Sequence, residues 1–111
     1  MAAVYAQSTN IRVPMGMMPD MRRLIEQEYL PNVQLRPGFV AAYLLEQEDD
    51  EDYAELITLW ASHAAAEDFA QTGSLEASPQ KLVTALPGTR VQRQGYRVRV
   101  HAEESTYARA R

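Results

Sequence analysis

The sequence predicts an α+β fold built on one antiparallel sheet, and three observations carry that reading. Segments with strand-like and helix-like periodicity alternate in the order strand, helix, strand, strand, helix, helix, strand. The stretch Tyr53 to Trp60 runs straight into a segment that Ser62 can cap as a helix. The stretch Phe39 to Leu45 is apolar on nearly every position, so a strand there needs cover on both faces.

Each element has its own signals. Val4 to Val13 reads as a strand of mixed face, ended by Pro14. Met15-Gly16-Met17-Met18 is an apolar connection, with Met21 close behind; methionines of this kind either form a lid or pack the strand–helix corner. A helix follows from about Pro19, which suits a first turn, as Asp20 suits the positive end of the helix dipole. Met21, Leu24, Ile25 and Tyr29 mark its buried stripe, and Pro31 is expected to stop or kink it. Arg36-Pro37-Gly38 is a turn. Phe39 to Leu45 and Tyr53 to Trp60 are then two arms of a hairpin, joined by the acidic stretch Glu46 to Asp52.

The helix after Ser62 carries Ala65, Ala66, Phe69 and Ala70 on one face and is expected to end near Thr72-Gly73, with Gly73 as its C-cap. A further short helix is expected from Ser78-Pro79 to Leu86, closed by Pro87-Gly88. A long last strand is expected from about Thr89 to Glu103. Its apolar phase changes between Val91 and Tyr96, so Gly95 reads as a bulge that resets the alternation. Residues 1–103 make one domain, and residues 104–111 a frayed tail. This order of elements is a ferredoxin-like split βαβ arrangement with an added helix. Helices on one sheet face leave the other bare, and a second copy of the same sheet would cover it. A two-fold homodimer, two sheets face to face in an α+β barrel, is therefore expected.

Composition narrows the function classes. The chain of 111 residues is 46% hydrophobic and 23% charged, as expected of a folded globular domain. No apolar run approaches the ~18 residues of a membrane helix, and the N-terminus carries no signal-peptide pattern. There is no cysteine, which excludes disulfides, thiolate metal sites and cysteine nucleophiles and suits the cytoplasm. A formal net charge of -4 argues against a nucleic-acid partner. The acidic stretch lacks the spaced ligands and the glycine of a calcium loop and reads as a solvated hairpin tip, so no metal is expected.

With Pro37-Gly38-Phe39, the Trp60 to Phe69 block and Leu86-Pro87-Gly88 in place, the chain resembles the antibiotic biosynthesis monooxygenase family. The resemblance covers Val4 to about Val100. It implies a dimeric α+β barrel. Some members oxidise aromatic polyketides to quinones with dioxygen and no cofactor, and others cleave haem. Against the quinone-forming branch, Trp60 matches. Leu56 stands where that branch has an Asn, Ala66 where it has a Tyr, and Gln80, beside Lys81, where it has an Arg. Against the haem-cleaving branch, Asn10 is similar in placement, Phe69 replaces a Trp, and Ser78 or Pro79 stands where the His ligand is expected.

The resemblance thus implies a cofactor-independent monooxygenase acting on a small aromatic compound of phenol or quinone type. The alternatives are a non-catalytic dimer that binds a small hydrophobic ligand and, third, a haem-degrading monooxygenase. For the first, Trp60, Phe69 and Tyr43 are expected to shape an apolar pocket, with Asn10 and His63 handling the proton and the developing anion. Each has a plainer reading. Trp60 also suits a core anchor. Asn10 is on the phase of Val4, Ala6 and Ser8, and if buried is either paired within the protein or aimed at a ligand. Tyr43 faces either the cavity or the dimer seam. His63, in a helix first turn, also suits a solvated position. His101 reads as surface, Lys81 as solvated or at the pocket mouth, and Arg90, Arg93, Arg97 and Arg99 as partners in inter-strand or dimer ion pairs.

Overall fold

A computed structural model describes residues 2–71 and 80–104. Four strands form one antiparallel sheet: β1 (Tyr5–Arg12), β2 (Phe39–Glu46), β3 (Tyr53–Trp60) and β4 (Arg90–Arg97). Their order is β2-β3-β1-β4, the ferredoxin-like split βαβ arrangement the sequence predicts. β1 is central. Thr9 faces Leu56 on one side and Arg93 on the other, and Ile11 faces Ala54 and Val91. Side chains alternate across a strand, so these registers align Tyr5, Gln7, Thr9 and Ile11 with Leu56, Thr58 and Trp60 on one sheet face. Ala6, Ser8, Asn10, Glu55, Ile57 and Leu59 take the other.

The helices cover the first of these faces. α1 (Met18–Leu24), a π-helical turn (Ile25–Tyr29) and α2 (Leu30–Val33) form one continuous rod. α3 (His63–Ala70) and α4 (Gln80–Ala85) complete the layer. The core is one cluster in which Ile11, Val13, Ala54, Leu56 and Trp60 of the sheet meet Met18, Met21, Ile25, Tyr29, Val33, Ala66, Phe69, Leu82 and Leu86. Of the predicted stripe, Met21, Ile25 and Tyr29 are buried and Leu24 is half-buried against the core, and Val33 extends it. Met18 and Met21 pack the strand–helix corner, while Met15 is exposed.

Several expectations change. Pro31 does not end the helix. The turn before it widens, the Leu30 N–H bonding to the carbonyl of Ile25, and Pro31 then sits in the first turn of α2. A proline lacks the N–H for the regular helical bond, and a π-turn absorbs that loss without a break. Gly95 is not a bulge: β1 and β4 pair without interruption from Arg12 opposite Arg90 to Tyr5 opposite Arg97. The glycine is required because a Cβ there would overlap the Tyr5 hydroxyl. The change of apolar phase in β4 comes instead from its core face turning polar after Val91, at Arg93 and Arg97. The irregular pairing lies in β2, between Phe39 and Ala41. β4 is also shorter than predicted. It stops at Arg97, with one more bond from the Val98 N–H to the Val4 carbonyl.

The helix starts follow simple chemistry. Ser62 caps α3, its hydroxyl accepting from the Ala65 N–H at 3.0 Å. Gly38 has φ +84, and a Cβ there would lie 2.5 Å from the Ala65 Cβ, so α3 packs directly onto this turn. Its carbonyl accepts from the Ala61 N–H at 2.7 Å. The expected cap at Gly73 and helix start at Ser78-Pro79 lie outside the described residues. So does the tail beyond Glu104.

Candidate active site

The five residues singled out from the sequence do not converge. Trp60 and Phe69 are in the core, 0% and 1% exposed, with ring centroids 5.5 Å apart. Tyr43 lies across the sheet from them and is 55% exposed, because the β2 register places it on the open face. It does not line a pocket with Trp60. Asn10 is on the open face too, half-buried between Glu55 and Gln92. His63 is exposed at the end of the sheet, where its Nε2 meets a Glu67 carboxylate oxygen at 3.3 Å and its ring meets the edge of Tyr5. The sheet itself thus separates Asn10 and Tyr43 from Trp60 and Phe69, and His63 stays at the rim of the helix layer against Tyr5.

What the fold gathers on the helix side is a different polar set. The Tyr29 hydroxyl lies 3.2 Å from the Thr58 hydroxyl, both buried. Beside them, on the same face, Arg93 Nε donates to the Thr9 hydroxyl at 3.4 Å. Thr9 and Thr58 are almost wholly buried. The π-turn ends at Tyr29, and helix spacing from Met21 and Ile25 aims its ring inward. The β1–β4 register carries Arg93 to the core face opposite Thr9. Tyr29 meets Phe69 edge-on at 6.2 Å, and Phe69 leads to Trp60 and Phe39, so one aromatic chain crosses the core. The Arg36 guanidinium lies over Phe69, 5.6 Å from the ring centroid.

The electrostatics of this set are defined. Burial pushes the Tyr29 phenol up from its ordinary value, against the smaller pull of the Thr58 hydrogen bond and the Arg93 charge. Tyr29 is therefore a neutral hydroxyl near pH 7, able to donate or accept. Burial lowers the Arg93 pKa, and the Tyr29 phenol acts in the other direction. A guanidinium remains a cation even so. Trp60 Nε1 and Thr89 Oγ1 are buried with no hydrogen-bond partner among the described residues. Each unmet group of that kind costs about 1–3 kcal/mol.

Sequence reasoning placed Tyr29 correctly in the buried stripe but not its hydroxyl opposite Thr58. It assigned Arg93 to ion pairs. The available signal was the shared phase of Val91 and Arg93, two residues apart and thus on one face, but it acquires meaning only with the β1–β4 register. Of the four arginines read as ion-pair partners, Arg90, Arg97 and Arg99 make no ion pair among the described residues.

The remaining features organise the periphery. Arg22 holds Glu46 through two bonds of 2.5 and 2.8 Å, and Arg12 meets Asp50 at 2.9 Å. Lys81 of α4 reaches a carboxylate oxygen of Glu28 in the π-turn at 3.5 Å. Among the described residues, no three His, Cys, Asp or Glu side chains gather as a metal site, and no helix is long and apolar enough to cross a membrane.

No protein-family model matches the sequence, and no curated protein matches it. Solved structures do. SnoaB, a cofactor-independent oxygenase from Streptomyces nogalater, is 21% identical and superposes with a TM-score of 0.73 over 93% of this chain and 100% of its own. The haem degrader MhuD from Mycobacterium tuberculosis, with two haems in its active site, is 20% identical, with a TM-score of 0.65 over 89% of this chain and 99% of its own. A candidate antibiotic biosynthesis monooxygenase from Nitrosomonas europaea is 14% identical, with a TM-score of 0.66 over 83% of this chain and 95% of its own. At these identities the likeness is one of fold, and activity has to be argued from the site. The chain has the α+β fold of the antibiotic biosynthesis monooxygenases.

Proposed function

We propose that this chain binds a small phenolic aromatic between its helices and its sheet and oxidises it to a quinone with dioxygen. The observation that carries this reading is the Tyr29, Thr58 and Arg93 set, a neutral donor within an aromatic core and a half-buried cation at its edge. A phenol becomes reactive toward dioxygen as its electron-rich phenolate. Arg93 lowers the cost of forming that anion, and Tyr29 donates to the same oxygen. The aromatic chain Tyr29, Phe69, Trp60 supplies flat apolar walls, and the free Trp60 N–H can donate to a ligand oxygen. The substrate supplies the electrons. One atom of dioxygen enters the ring as the second quinone oxygen. The other leaves as water, with the phenol proton and the displaced ring hydrogen.

The cation implied by the family resemblance falls at Gln80, on the added helix. In this reading Arg93 of β4 takes its place from the opposite wall. Asn10 and His63 take no part. A homodimer through the open sheet face belongs to the same proposal. It is supported by the exposure of Val4, Tyr43, Leu45 and Tyr96, which together leave too much apolar surface for a sheet facing water.

The test is oxidation of an electron-rich naphthol or anthrone under labelled dioxygen, followed by quinone absorbance and by the mass of the product. The expected result is one labelled oxygen per quinone. Arg93→Gln should lower kcat/KM by about 10- to 100-fold, the scale of a hydrogen bond to a charged group. Unlabelled product, or full activity in Arg93→Gln, rejects the mechanism. A second reading rests on the complete burial of Trp60 and Phe69, which fill the core: a non-catalytic dimer that holds a small hydrophobic ligand. Native mass spectrometry with a retained ligand, together with no turnover of any phenol tested, favours it.

A further inference from the structure

A concave basic site lies outside the core, at one end of the sheet. Where β1 begins and β4 ends, Val4, Tyr5, His63, Arg97, Val98 and Arg99 line a cleft of about 400 Å³. Among the described residues, no carboxylate lines it. Elsewhere Arg12 pairs with Asp50, Arg22 with Glu46, Arg23 with Asp20 and Lys81 with Glu28, while Arg90 stands without an ion pair among the described residues. Arg97 and Arg99 have no hydrogen-bond or ion-pair partner for their guanidiniums among the described residues. Glu67, the nearest acid in sequence on α3, is engaged by His63 at 3.3 Å.

The two arginines stand two residues apart, and both line the same cleft. Like charges held this close repel, and an anion between them removes that cost. A guanidinium meets a carboxylate or phosphate with two parallel hydrogen bonds, so the pair is built for an oxyanion. The remaining walls are two aromatic rings and two valines. The Tyr5 and His63 rings meet edge to face at 4.7 Å, and Val4 and Val98 are joined by a 2.9 Å backbone bond. Gly95 keeps this wall in place, since the Tyr5 hydroxyl occupies the space of its missing side chain. The cleft is also far larger than a bare oxyanion.

We infer that this cleft binds a small organic anion, an oxyanion head on Arg97 and Arg99 with a flat or hydrocarbon body against Tyr5, His63, Val4 and Val98. It is a second site, separate from the Tyr29 and Arg93 set, and it stands whether or not the protein is an oxygenase.

The intact protein is titrated with phenyl phosphate, benzoate and inorganic phosphate, followed by calorimetry and by the ring resonances of His63 and Tyr5. Saturable binding of phenyl phosphate or benzoate, with both rings shifting, is expected. The organic anion should bind at least about tenfold more tightly than inorganic phosphate, since burying even part of an aromatic ring contributes over 1 kcal/mol. Whichever head binds identifies the natural one as phosphate or carboxylate. The double variant Arg97→Gln/Arg99→Gln should weaken binding by about 100-fold, two charged contacts being lost. Arg90→Gln, which removes an unmatched arginine outside the cleft, should leave it unchanged. The inference is overturned if no anion shifts the two rings in the unmodified protein, if the double variant binds as well, or if Arg90→Gln weakens binding equally. The ring shifts are read on the unmodified chain, so the test survives a variant that fails to fold.

Discussion

The two faces of the sheet are built from the same four strands and obey different rules. The helix-covered face is aromatic and closed, yet it holds the threonine, tyrosine and arginine set. The open face carries Tyr43 at 55% and Leu45 at 48% exposure, beside Ser8, whose hydroxyl donates to Glu55 at 2.5 Å. On the covered face, polar groups sit among apolar ones, where a low dielectric strengthens each interaction. On the open face, apolar groups sit among polar ones and have nothing to pack on in a single chain. The proposed chemistry belongs to the first arrangement and the proposed association to the second.

Substitutions that hit one face and spare the other break this comparison most directly. Trp60→Ala should destabilise the folded chain by about 3–5 kcal/mol, the range for a fully buried large aromatic. Tyr43→Ala should change the stability of the single chain by less than about 0.5 kcal/mol. Urea denaturation at low protein concentration measures both. Equal losses would mean that the open face is packed within one chain. The charged double variant Tyr43→Glu/Leu45→Glu should convert the proposed dimer to monomer in native mass spectrometry, with the secondary structure kept. A dimer that survives it places the contact elsewhere.

Smaller effects sharpen the covered face. Tyr29→Phe should cost about 1 kcal/mol, the net value of one buried hydrogen bond. It should also remove the tyrosine whose titration lies above the ordinary phenol range, which ultraviolet titration reads directly. The smallest effect belongs to the hairpin tip. Hydrogen bonding to Arg22, then its charge, holds the Glu46 carboxyl below the ordinary carboxylate range, and Arg12 and the Asp52 N–H do the same for Asp50. Groups with depressed folded values stabilise the fold above the unfolded carboxylate range, and that support fades as pH falls through the folded values. A slight loss of stability on acidification below about pH 4 is therefore expected. Both pairs are exposed, so added salt should erase most of the difference.

The fold was legible because its determinants are local. Ser62 capping α3, the i to i+4 stripe on the first helix and the apolar hairpin are each written within a few adjacent residues. The site was not, because it depends on registers that no single segment contains. Asn10 and Thr9 are neighbours in the chain, yet one belongs to each face of the sheet. Only the pairing of β1 with β3 and β4 decides which of them meets Thr58 and Arg93. Gly95 makes the same point: a glycine in a strand signals either a bulge or a close approach, and the group that approaches is Tyr5, on another strand.

The pairing of β1 also sets the order in which the molecule can be completed. The first strand to be synthesised has one neighbour in the middle of the chain and the other near its far end. Its two hydrogen-bonding edges stay empty until β3, and later β4, emerge. Long-range closures of this kind slow folding and leave an intermediate with one bare strand edge. A chain interrupted after Gly88 would keep its helices and its hairpin, but β1 would become a border strand. Growth by adding strands from other copies would then compete with folding.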